Sequence, residues 1–202
     1  QATALLLVLM FIFADLSLPQ TMEGWSELED EQSVQRAVSY HAVNADTYIT
    51  AGSPLSTYNT SVSGTLSSEA GQESRLLLRF PMNFTSADTV HEASVALHCT
   101  TDVLGPTELT AYVATMNRAW NGSFASWVKY ASNQLWATIG AEGAADRGDW
   151  EPPVTLTGNG TLTLNVTSLA QSAARSNAAY LSLVVSSYGM AYDCAMSEAV
   201  NA

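Results

Sequence analysis

Lysine is almost absent from this chain: Lys129 is the only one in 202 residues, and Lys and Arg together number 7 against 19 acidic residues, for a net charge of −12. That balance excludes the clustered cations of a nucleic-acid-binding surface, and it disfavours attraction to anionic lipid headgroups. Cysteine is equally scarce. Cys99 and Cys194 are the only two, with no Cys-x-x-Cys or Cys-His spacing, so a metal site of the usual kind is excluded. Histidine is limited to His41, His91 and His98, far apart in sequence. His91-Glu92 has no second histidine four residues on, and Gly-x-Ser-x-Gly and P-loop patterns are missing. No catalytic residue, metal ligand or cofactor is expected, and His91 and Glu92 read as solvated strand residues.

Ser and Thr are abundant. They number 43, while only 13% of residues are charged and 47% are apolar. This suits an extracellular β-protein better than a cytosolic enzyme. Five of the ten asparagines stand in Asn-x-Ser/Thr sequons: Asn59, Asn83, Asn121, Asn159 and Asn165. They point to an exported surface carrying covalent N-glycans. In an oxidising compartment Cys99 and Cys194 can pair, closing a loop of about 95 residues and contributing roughly 4 to 5 kcal/mol.

The longest uncharged apolar run lies at the N-terminus: Ala4, Leu5, Leu6, Leu7, Val8, Leu9, Met10, Phe11, Ile12, Phe13 and Ala14. As a helix these residues would span roughly 16 Å, about half of a bilayer core. Asp15 interrupts the run and Pro19 closes it, so it is a poor permanent membrane span. Three readings stay open. The first is the apolar core of a secretory signal peptide, although no basic residue precedes it. The second is a polymerisation helix buried on every side at a filament axis. The stretch from Gln1 resembles mature archaeal pilins and archaellins, which pass directly from a small or Gln residue into a hydrophobic helix. The third is a donor strand added to the sheet of a neighbouring subunit. Leu, Met and Ala dominate the run, which favours the helix over the strand.

Beyond Pro19, Ser26-Glu27-Leu28-Glu29 has the capping-box pattern, and a helical stem is expected from Glu27 to about Tyr40. From Asn44 onward the period changes to two. Leu76, Leu78 and Phe80 alternate with Arg75 and Arg79; Ala93, Val95, Leu97 and Cys99 alternate with Ser94, Ala96 and His98. Leu109, Ala111 and Val113, then Leu162, Leu164 and Val166, then Leu181, Leu183 and Val185 continue the pattern. Tyr188, Met190 and Tyr192 are expected to share an inward face with Cys194. Residues 1–43 thus read as an apolar polymerisation segment with a stem, and residues 44–202 as a β-sandwich domain.

The domain resembles a known family. Ala45-Asp46-Thr47-Tyr48-Ile49, Gly52-Ser53-Pro54 and Ser74 to Phe80 look like the opening motifs of the DNRLRE domain. Val90 to Leu97, the pair Trp120 and Trp127, Leu164 to Leu169, and Ser197-Glu198-Ala199 match its later motifs in order. The resemblance covers about residues 45–202. It implies a jelly-roll sandwich of secreted and cell-surface proteins, similar to carbohydrate-binding modules. Asn165 stands where the family has aspartate, Pro81-Met82 replaces an Asp-Leu pair, and the strand normally following the Ser-Glu motif has no counterpart.

Two further features carry chemistry. Trp120, Trp127, Trp136 and Trp150 can stack on sugars or pack over a sandwich edge. Asp146, Asp149 and Glu151 lie in a Gly-rich loop with hard oxygen ligands but without EF-hand spacing, and are expected to be a solvated acidic loop. Together these readings describe a non-enzymatic subunit of an extracellular, cell-surface, pilus-like filament. Its partners are identical subunits, covalent N-glycans and surface polysaccharide, with no nucleic acid. The competing reading is a secreted or surface-anchored carbohydrate-binding or adhesion module.

Overall fold

The computed structural model describes residues 8–13, 37–103 and 107–196. Their strands are β1 (Val8–Phe13), β2 (Ala37–Ala42), β3 (Ala45–Thr50), β4 (Ser63–Leu66), β5 (Ser74–Pro81), β6 (Val90–Thr100) and β7 (Glu108–Thr115). Then come β8 (Lys129–Ala131), β9 (Gln134–Leu135), β10 (Val154–Thr157), β11 (Gly160–Asn165), β12 (Tyr180–Gly189) and β13 (Tyr192–Ala195). One helix, α1 (Thr167–Arg175), lies between β11 and β12.

The protein is mainly β, and its sheets are antiparallel. One sheet follows the order β2-β1-β6-β13-β4 with β11 also on β6, and the other runs β10-β7-β12-β5-β3. The period-two pattern decides which faces meet. Val95, Leu97, Cys99, Leu162 and Leu164 of the first sheet pack with Leu76, Leu78, Phe80, Leu109, Val113, Leu183 and Val185 of the second in one core. Ser94, Ala96, His98, Thr161, Thr163 and Asn165 alternate outward on the same strands. This arrangement is that of a β-sandwich.

The second sheet is covered on its other face too. Ile49, Leu77, Ala114 and Val184 pack against Met116, Trp120, Trp127, Trp136 and Ala141 in a separate apolar cluster. That layer explains why Leu76-Leu77-Leu78 and Leu183-Val184-Val185 run without a polar break, as expected of strands buried on both faces. It also corrects the reading of Arg75 as an outward residue. Arg75 is only 8% exposed, its guanidinium 5.1 Å from the centre of the Trp127 ring, and it donates to the Gly140 carbonyl and to Glu142.

Three other expectations change. Residues 8–13 form a strand, not a helix. The six residues Val8-Leu9-Met10-Phe11-Ile12-Phe13 include four β-branched or aromatic side chains, which favour strands; the helix formers Leu5, Leu6 and Leu7 lie outside the described residues. The stem helix does not reach Tyr40, because Ala37–Ala42 is a strand; its first part, residues 27–36, lies outside the described residues, as do Asp15, Pro19 and Ser197-Glu198-Ala199. Finally, Tyr188 and Met190 are 71% and 42% exposed while Tyr192 is buried. Gly189, at φ +115°, breaks the alternation between β12 and β13.

Candidate functional site

The site is assembled on β6, the longest strand of the first sheet. Along one edge β11 runs antiparallel, from Gly160 opposite Cys99 to Asn165 opposite Ser94. A strand has only two edges, so every other neighbour of these residues must share the opposite one. β13 takes its far end, pairing Cys194 with Cys99 and Asp193 with Thr100. β1 takes the near end, with Leu9 opposite Val95, Met10 opposite Ser94, Phe11 opposite Ala93, Ile12 opposite Glu92 and Phe13 opposite Val90. A bulge falls between Ile12 and Phe13.

β1 is paired on both sides. Its second edge carries β2 in register from Val8 opposite Ala42 to Phe13 opposite Ala37. β2 is tied to β3 of the other sheet by Val43 and Asn44 alone. β1 and β2, by contrast, are joined through residues 14–36, a connection of 23 residues. Adjacent antiparallel strands need only about two to five. The expected polymerisation residues Val8, Leu9, Met10, Phe11, Ile12 and Phe13 are thus brought together as a strand in a slot between β2 and β6; Leu5, Leu6 and Leu7 lie outside the described residues. Val90, Ala93 and Val95, on the β6 wall of the slot, are buried in the core.

The expected cysteine pair is bonded. Cys99 and Cys194 form a disulfide with Cα atoms 4.0 Å apart, across the ladder on the β6 edge that also carries β1. It is buried, and the neighbouring Tyr192 hydroxyl shares a 2.8 Å hydrogen bond with Thr107 Oγ1. The sequon asparagines are scattered. Asn83, Asn121, Asn159 and Asn165 are exposed, and Asn59 is half-buried. Asn121 and Asn165 each accept the amide N–H two residues on, from Ser123 and Thr167, at 3.0 Å. Gly122 lies over Asn59, where a β-carbon on it would stand 3.1 Å from the Asn59 Cβ.

Three of the four tryptophans among the described residues turn inward, while Trp150 is half-buried with the Arg147 guanidinium 4.1 Å over its ring. Trp120, Trp127 and Trp136 are 2%, 8% and 5% exposed, and they pack over the second sheet without offering a ring face to a sugar. Trp136 Nε1 donates to the Ser126 carbonyl at 2.8 Å and Trp120 Nε1 to Ser182 Oγ at 3.0 Å. The acidic loop does not act as a solvated cluster. Asp146 is fully buried and accepts from the Ala137 and Thr138 amides at 2.9 Å and from Arg118 Nε at 3.3 Å. Burial alone would raise its pKa; the two amides and the guanidinium outweigh that and hold it below the ordinary value of 3.8. Glu151 accepts from Ser168 Oγ, and Asp149 is exposed. Among the described residues no group of three His, Cys, Asp or Glu side chains stands close enough to hold a metal. His41 is buried on β2 with its ring 5.4 Å from Phe84, and burial lowers its pKa.

Sequence reasoning missed one feature. A polar cleft of about 370 Å³ opens beside β3 and β4, lined by Tyr48, Tyr58, Thr65, Glu69, Gln72 and Ser74 among others. The rings of Tyr48 and Tyr58 are stacked at 4.1 Å. Burial and the neighbouring Tyr58 push the Tyr48 hydroxyl up to about 12. The buried Ser74 Oγ has no hydrogen-bond partner. Nothing in the local sequence pattern marks these residues, because the cleft forms only where β4 of the first sheet meets β3 and β5 of the second, next to the Ser67–Ser74 bridge. Comparison of the sequence with protein-family models finds no match, and comparison with curated proteins finds none either.

Proposed function

We propose that this chain is a structural, non-enzymatic subunit of an extracellular, glycosylated, pilus-like filament, joined to identical copies through its N-terminal apolar segment. The observation that carries the reading is the β6 edge. From Val90 to Val95 it is completed by β1, a strand that the 23 residues 14–36 separate from β2, its partner on the other edge. A sheet edge left open over buried Val90, Ala93 and Val95 would be a template for another chain. The remaining support is chemical: four exposed sequon asparagines, low charge, and the resemblance of residues 45–202 to the jelly-roll DNRLRE family of cell-surface proteins. The test is negative-stain microscopy of the purified, full-length protein. Regular filaments are expected, and uniformly monodisperse particles overturn the reading.

A second reading, a surface carbohydrate-binding or adhesion module, is favoured by one observation. The cleft beside Tyr48 and Tyr58 combines aromatic carbon with hydroxyl, amide and carboxylate groups, the mixture that recognises sugars. Glycan-array binding that is lost in Tyr58→Ala would move the assignment to that reading.

A further inference from the structure

We infer that in the assembled protein β1 is exchanged: Val8–Phe13 of one copy fills the slot between β2 and β6 of a second copy. The inference rests on the filament reading above and adds how subunits are joined. The two walls of the slot are anchored differently, because β2 has β1 as its only strand partner among the described residues. β2 is held by its short link through Val43 and Asn44 to β3, and β6 by the Cys99–Cys194 bond to β13. Its occupant is the strand with the long tether. Residues 14–36 reach about 75 Å when extended at roughly 3.3 Å per residue, well beyond the ~40 Å breadth expected of a domain this size.

The ladder itself does not distinguish its owner. Leu9 opposite Val95 and Met10 opposite Ser94 form the same hydrogen bonds whether β1 belongs to the same chain or the next. The balance is therefore set by the tether and by protein concentration. The tether carries Asp15, Glu23, Glu27, Glu29, Asp30 and Glu31 against a single Arg36. Six like charges on the tether repel one another, which adds to the cost of closing β1 back onto its own slot. An empty slot is not an available resting state, because it would leave backbone groups unpaired on two facing edges. Exchange from one copy to the next is a heterologous contact, which propagates as an open chain when its rotation does not close.

Two full-length variants with one added cysteine each, Met10→Cys and Ser94→Cys, are co-expressed and oxidised. Phe11→Cys with Ala93→Cys forms a second pair, because adjacent cross-strand pairs alternate in Cα separation and one of the two suits a disulfide. Non-reducing gels and peptide mapping then identify the bonds, with Cys99–Cys194 as internal reference. Exchange predicts inter-chain bonds joining one variant to the other in at least one pair, and covalent ladders of many chains when both substitutions are placed in one chain. Bonds confined within single chains of the double variants, with none between chains in the mixtures, overturn the exchange. So does the lack of any bond at both positions. Microscopy of the same samples separates the two claims: filaments with only intra-chain bonds sink the exchange and leave the filament, whereas inter-chain bonds in closed dimers sustain the exchange and sink the filament.

Discussion

Gly140 lies flat against Trp127: a β-carbon placed on it would stand 2.6 Å from Cζ2 of the indole, and its φ is +74°. The same residue offers its carbonyl to the guanidinium of Arg75, so backbone, indole and cation are fixed together. Gly140→Ala is expected to cost about 2 kcal/mol, through positive-φ strain and displacement of Trp127. Urea denaturation followed by tryptophan fluorescence checks this; an unchanged midpoint would show that the layer repacks freely.

Asp146 ties the same layer together. Asp146→Asn removes a buried anion from two amides and Arg118, and a loss of about 3 kcal/mol is expected near neutral pH. The sign with pH follows from its lowered pKa. Above 3.8 the carboxylate is ionised in both folded and unfolded chains and its contribution is complete. Below 3.8 the unfolded chain takes up the proton first, so the contribution falls as pH drops through the lower folded value. The difference in stability between wild type and variant should therefore narrow below 3.8 and be flat above it.

Reduction of Cys99–Cys194, or its replacement by alanines, frees a 95-residue separation. A loss of about 4 kcal/mol is expected. Thermal unfolding with and without reductant measures it, and equal melting temperatures would contradict the account.

Exposure ranks the sequons. Expressed in a host that glycosylates Asn-x-Ser/Thr, Asn83, Asn121, Asn159 and Asn165 should carry glycans at higher occupancy than Asn59, which is half-buried beneath Gly122. Site-resolved glycopeptide mass spectrometry gives the occupancies; highest occupancy at Asn59 would refute the ranking.

Deleting Gln1 to Leu18 empties the slot on β6. The truncated chain should melt at lower temperature or associate through its open edge, and a synthetic peptide of residues 4–18 should bind and raise the melting temperature. A truncated chain as stable as the whole one, indifferent to the peptide, would mean that β1 does not complete the sheet.

Strands with one face in the core are legible in the amino-acid sequence. On β6 the inward set Ala93, Val95, Leu97 and Cys99 and the outward set Ser94, Ala96 and His98 follow from period two alone, and β11 behaves likewise. Where both faces are buried the signal disappears, as at Leu76-Leu77-Leu78. The covering layer of Trp120, Trp127 and Trp136 comes from a distant irregular segment, so nothing beside Arg75 in sequence announces that it is enclosed. The same ambiguity affects β1. An unbroken apolar run fits a helix buried all round or a strand inside a sheet, and averaging over Ala4 to Ala14 hides the β-branched and aromatic content of Val8–Phe13. The polar cleft at Tyr48 and Tyr58 has no local signature, because only the meeting of the two sheets assembles it.

The placement of the disulfide and of β1 on one edge of β6 gives the domain a definite path for mechanical load. A pull on the N-terminal segment enters the domain as shear along two ladders, Val8–Phe13 against β2 and Leu9–Phe13 against β6, and the share borne by β6 is the one the disulfide governs. From Cys99 it passes covalently into β13, and through the β13–β4 ladder into the rest of the sheet. β6 cannot be peeled from β13 at that point, so on the β6 side the hydrogen-bonded joint at β1 is expected to slip before the β6–β13 joint opens. With the disulfide reduced, that order of failure is no longer protected, and the break can move inside the fold.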